Sequence, residues 1–142
     1  MSELHGYYLE DLSVGLSERY AKTITDADIV LFAGVSGDTN PVHINQEFAE
    51  QTLFKGRIAH GMLTASLIST VLGTKLPGPG AIYVSQQLKF KAPVRIGDTV
   101  VAIATVKDII AEKRRVVLET VCKVGSTTVL EGEAVLMVDV RR

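Results

Sequence analysis

The sequence runs to 142 residues, 46% of them hydrophobic, which is enough for one domain with a substantial core, and nothing in it argues for two. With 15 basic and 16 acidic side chains the formal charge is −1, so there is no general pull toward nucleic acid or an anionic membrane surface. The single cysteine, Cys122, excludes an internal disulfide and a cysteine zinc site and fits a reducing compartment, where it reads as a buried strand residue. The first residues, MSELHGYYLEDLSVG, have neither a basic start nor an apolar run, and no segment reaches the ~18 consecutive apolar residues of a membrane span. The expectation is a soluble, cytoplasmic protein.

In chain order, residues 16–24 (LSERYAKTI) read as a modest strand. Thr25 then offers an N-cap, with Asp28 three positions on, close to a capping box. The helix that follows is expected to pack through Ile29, Leu31, Phe32 and Val35 and to stop at Gly37, a natural left-handed residue. Next comes SGDTNPVHI, 36–44, an acid, an amide, a proline and a histidine in one short polar stretch. Pro41 removes a backbone donor and pushes Asn40 away from the helical region, so the segment is expected to be a turn. Turns hold polar side chains through local hydrogen bonds, and they also concentrate functional groups.

Asn45 is placed to cap a short helix through about Thr52. Residues 60–76 (HGMLTASLISTVLGTKL) spread Met62, Leu63, Ala65, Leu67, Ile68, Val71 and Leu72 around the whole helical circumference, the mark of a buried helix, which should end near Gly73. PGPG at 77–80 is a turn. Thereafter the period changes to two: 82–90, 98–109, 114–124 and 127–140 read as long strands of a mostly antiparallel sheet, with Val116, Leu118, Thr120 and Cys122 on one face. The fold class is α+β, a sheet curled around a central helix. So short a chain has trouble covering that helix and both sheet edges, which predicts a homodimer.

With these elements in place, the chain resembles the MaoC-like hot-dog-fold family, in particular its (R)-specific enoyl-CoA hydratases, the hydratase 2 group. The signature is matched without a departure by Phe32, Ser36, Gly37, Asp38, Asn40, Pro41, Val42, His43 and Ala49. IAHGMLTASLIS, carrying His60, Gly61 and Met62, and SQQLKFKAPVRIGDTV match two further stretches, so the resemblance covers almost all of one hot-dog domain, 1–142.

The resemblance implies reversible syn hydration of a short trans-2-enoyl-CoA to the (3R)-3-hydroxyacyl thioester. It makes Asp38 and His43 the acid/base pair. Gly61, at the start of the buried helix, has a free N–H and the positive end of the helix dipole for an oxyanion, and its lack of a side chain allows close approach; the plainer reading is tight packing of the loop on the helix. Asn40 orients the turn. Ser69 corresponds to a serine that bonds near the active site, with Ser66 as competitor, and either hydroxyl could instead bond its own helix carbonyl. His60 either caps and orients the site or is a satisfied structural histidine. The lysines of LKFK and Arg95 either approach the CoA phosphates or form a solvated face.

No metal is expected: three histidines without a spacing such as HExxH, and one cysteine, fall short of any usual site. No cofactor is expected either, CoA being part of the substrate. The acyl-CoA thioester and a second copy of the chain are the expected partners, with no nucleic acid and no membrane. Two other functions stay open on the sequence, a hot-dog acyl-CoA thioesterase and a non-catalytic acyl-thioester binding subunit.

Overall fold

A computed structural model describes residues 2–142. Strand β1 (Ser17–Thr23) leads to helix α1 (Asp26–Ser36), two short helices α2 (Pro41–Ile44) and α3 (Gln46–Glu50), and the long helix α4 (Gly61–Thr74). Strands β2 (Ile82–Phe90), β3 (Thr99–Ile110), β4 (Arg115–Val124) and β5 (Thr127–Met137) follow. The five strands form one antiparallel sheet in the order β1-β3-β4-β5-β2, and α4 packs on β3, β1 and β4. This is the expected hot-dog arrangement of a sheet around a central helix.

Period-two alternation builds the sheet's inner face. Val100, Ala102, Ala104 and Val106 of β3 and Val116, Leu118, Thr120 and Cys122 of β4 are buried, while their neighbours turn outward. Helix α4 presses Leu67, Ile68, Val71 and Leu72 onto that face, each 5% exposed or less, and full burial of such side chains stabilises by about 1.5–3 kcal/mol apiece. Ala102 and Ala104 keep the layer beneath the helix thin. Thr120, a hydroxyl in this apolar layer, accepts a hydrogen bond from Gln86 Nε2 at 3.0 Å, so its polarity is satisfied.

Four expectations need correction. First, α1 does not pack through Leu31 and Val35, which are 66% and 88% exposed; Ile29 and Ala33 are its buried residues. Second, α4 is buried along one side only: Met62, Ser66, Ser69 and Gly73 face outward, and the helix runs to Thr74. An all-round apolar sequence cannot tell contact within the chain from an apolar face left open by it. Third, 41–44 is a one-turn helix and not a plain turn, because proline suits the first helical position, where its missing N–H has no intrahelical partner to lose. Strand β5 also ends at Met137, three residues short of expectation.

Candidate active site

Local hydrogen bonds build the polar segment from α1 onward. Thr25 Oγ1 accepts from the Asp28 N–H and Asp28 Oδ2 accepts from the Thr25 N–H, the expected capping box. The helix stops at Gly37, whose φ of 79° a side chain would disfavour. From there a relay runs along the chain. Ser36 Oγ donates to the Phe32 carbonyl (2.7 Å) and accepts from the Asp38 N–H (3.1 Å). Asp38 Oδ1 accepts from the Asn40 N–H, and Asn40 Oδ1 from the Val42 N–H, both at 3.2 Å. Asn40 is thus the N-cap of α2, the orienting role expected of it.

Helix α2 carries His43 inward, where it is buried. Its Nδ1 lies 2.8 Å from the Ile58 carbonyl, which can only accept, so Nδ1 holds the proton and Nε2 presents the lone pair in the neutral ring. Arg57, which the sequence reading did not single out, donates from Nε to the His43 carbonyl (2.6 Å) and from Nη2 to Asp26 Oδ1 (2.7 Å). It fastens the histidine's backbone to the start of α1.

Gly61 is the first residue of α4, with His60 as N-cap. The Leu63 and Thr64 N–H groups already return to the His60 carbonyl, at 3.1 and 3.3 Å. The Gly61 N–H precedes those bonds, at the positive end of the helix. A Cβ here would stand 2.7 Å from the ring of Phe90, so Gly61 lets α4 pack closely on the end of β2, not the loop on the helix as the plainer sequence reading had it, and Phe90 is a residue the sequence offered no signal to find.

His43 and Gly61 share the wall of a mostly apolar cavity of about 350 Å³, closed by Phe54, Ile58, Phe90 and Leu130. Ser69 is elsewhere. It lies eight residues along α4, roughly 12 Å by helical rise, and lines a second groove of about 490 Å³ with Phe32, Met62, Ser66, Tyr83 and Gln86. Ser66 Oγ donates to the Leu63 carbonyl at 2.6 Å, the local bond that was its alternative. Lys91 pairs with Glu131 at 3.3 Å and Arg95 donates to the Phe54 carbonyl at 2.5 Å, so neither stands free.

The histidines are less scattered than the sequence suggested. One ligand-capable atom from each of Asp38, His43 and His60 lies within 4.8 Å of the others. His60 Nε2 is 2.9 Å from the Asp38 carbonyl, and its ring stacks on His43 with centroids 3.9 Å apart. His5 stands apart, stacked on Tyr8.

The family model described as the MaoC-like domain matches residues 13–129. The chain belongs to the MaoC-like domain family. Among its relatives, this MaoC-like chain is 59% identical to an (R)-specific enoyl-CoA hydratase of Rhodospirillum rubrum, over 95% of this chain and 94% of that one. It is 53% identical to a 3-hydroxybutyryl-CoA dehydratase of Methylorubrum extorquens, over 97% and 88%. The unliganded R-hydratase PhaJ1 of Pseudomonas aeruginosa superposes with a TM-score of 0.89 at 41% identity, over 94% of this chain and 86% of that one. No helix among the described residues is long and apolar enough to cross a membrane.

Proposed function

We propose that this protein is an (R)-specific enoyl-CoA hydratase, a hydro-lyase that adds water reversibly to short trans-2-enoyl-CoA thioesters. The observation that supports the mechanism is the placement of Asp38 and His43 on one self-bonded segment, with His43 and Gly61 both in the wall of an apolar cavity. The names hydratase and dehydratase borne by two relatives describe one equilibrium from its two sides.

The Asp38 carboxylate and His43 Nε2 are both acceptors, so one water molecule bonded to both directs its two hydrogens toward them and its lone pair toward C3 of the enoyl group. As the C3–O bond forms, one acceptor takes a proton, and the C2=C3 π electrons move onto the thioester oxygen as an enolate. The Gly61 N–H, aided by the helix dipole, stabilises that charge. A proton from the acid/base pair then goes to C2 on the face that received the hydroxyl, and the sum is water added syn. Fixing these groups before substrate arrives removes the entropic cost of gathering them.

In this reading neither a metal nor a cofactor takes part, and CoA enters as part of the substrate; chelation with EDTA should leave turnover unchanged. The chain works as a homodimer in the cytoplasm. Support for the dimer is the free edge strand β2, where Ile82, Tyr83 and Val84 are 55%, 41% and 50% exposed, next to Met62 of α4 at 57%. The deciding experiment uses crotonyl-CoA. Loss of enoyl absorbance without free thiol, and no signal from a coupled dehydrogenase that oxidises only (3S)-hydroxyacyl-CoA, is the expected result. Released thiol would make the protein a thioesterase, and no reaction a binding subunit.

A further inference from the structure

His60 is the most completely enclosed polar side chain of the site, 1% exposed, and it does none of the chemistry described above. Four observations bear on it. Its backbone is the N-cap of α4, so it immediately precedes the Gly61 N–H. Its Nε2 lies 2.9 Å from the main-chain carbonyl of Asp38. Its ring stacks on that of His43 at 3.9 Å and 28°, and meets Phe32 on another side at 4.8 Å. Its Nδ1 is buried with no hydrogen-bond partner among the described residues.

A carbonyl accepts and never donates, so Nε2 must carry the hydrogen and Nδ1 a lone pair. The ring therefore works as a one-donor clip.

We propose that His60 is the positioning residue of the hydratase: its Nε2–H ties the Asp38 backbone to the N-terminus of α4, and its face supports the His43 ring. The acid/base pair sits on α2 and the segment before it, and the oxyanion donor on α4, 18 residues beyond His43 in the chain. Among the described residues, His60 touches both members of the pair while its own backbone adjoins the donor. The distance from Asp38 to the Gly61 N–H thus runs through a single hydrogen bond, and a misplacement of ~1 Å at such a site can cost about 10²-fold in rate.

The inference rests on the reading of Asp38 and His43 as the acid/base pair. It is tested with His60→Phe, which keeps a stacked ring and removes the donor, and His60→Gln, whose amide can restore the donor. The Phe variant should fold and lose at least tenfold in kcat with crotonyl-CoA, with KM within about threefold of wild type, and the Gln variant should recover most of that loss. A smaller loss in the Phe variant, or a Gln variant no faster than Phe, overturns the proposal. Should either variant fail to fold, nitrogen-15 NMR of the wild-type imidazoles decides: the Nε2–H tautomer is expected for His60, and an Nδ1–H tautomer overturns it. If instead Asp38→Asn or His43→Gln keeps wild-type turnover, the acid/base reading has failed, and the NMR result stands apart from it.

Discussion

Gly61 opens α4 directly against Phe90, so close that a methyl group on the glycine would stand 2.7 Å from the ring's Cε1 atom. In the proposed mechanism the position therefore has two demands on it, a backbone N–H for chemistry and an absent side chain for packing. Phe90 is 55% exposed and can swing aside, so the two demands can be separated.

In a Phe90→Ala background, Gly61→Ala should be tolerated and retain turnover near that of Phe90→Ala alone. Gly61→Pro in the same background suits the first helical position but lacks the N–H. Losing one oxyanion donor typically costs ~10²–10³ in turnover, so at least a ~30-fold gap between the proline and alanine proteins is expected in crotonyl-CoA assays. Equal rates would show that Gly61 matters only for space.

Asp38→Asn and His43→Gln should each lower kcat by at least ~10²-fold, the usual scale for a general acid or base, while circular dichroism and melting temperature stay close to wild type. A variant keeping more than a tenth of wild-type turnover removes that residue from the pair. The asparagine substitution leaves Oδ1 able to accept from the Asn40 N–H, so the relay should survive it.

Sedimentation at micromolar concentration should give twice the 15.3 kDa chain mass. Val84→Lys, placing a charge on the free β2 edge, should shift the protein toward monomer. A wild-type monomer would count against the dimer, and the variant's activity would show whether the site needs it.

Thr25→Ala removes the acceptor of the capping box and should cost about 1 kcal/mol in urea unfolding. Burial pushes the Asp28 carboxyl upward, but the Thr25 N–H and the Lys22 ammonium 3.0 Å away pull harder, and it settles below its ordinary value of 3.8. A depressed acid adds stability that is present above 3.8 and is lost as pH falls through its folded value. Asp28→Asn should therefore destabilise at pH 6 and have progressively less effect below about pH 4. An Asn penalty that persists at pH 2 would mean the carboxylate charge is not what the cap uses.

What could be read from the sequence was whatever local chemistry decides. The capping box at Thr25, the stop at Gly37, the N-cap role of Asn45 and the start of α4 at Gly61 each depend on neighbours within a few residues, and each is where the pattern put it. What could not be read depends on long-range contact. The outward turn of Leu31, Val35 and Met62, the grip of Arg57 on His43 and the ring of Phe90 at Gly61 join parts of the chain 14 to 29 residues apart or leave a face open, and hydrophobic period carries no such information. His60 lay between: its motif was visible, but its orphaned nitrogen and its bond to Asp38 needed coordinates.

The relay from Ser36 through Asp38 and Asn40 to Val42 has a consequence for how such a site can be moved. Each bond spans two residues, so the spacing of the carboxylate from the following helical turn is held by the segment itself and asks nothing of the sheet. The nine-residue stretch 36–44 that holds this relay should take up its shape early in folding, since short-range contacts close with little loss of chain entropy. It should also keep that shape when grafted after another helix with a left-handed glycine stop. The graft would carry Asp38 and His43 but not Gly61, which belongs to a different part of the chain. On the proposed mechanism, proton transfer is thus portable in this fold, and charge stabilisation is not.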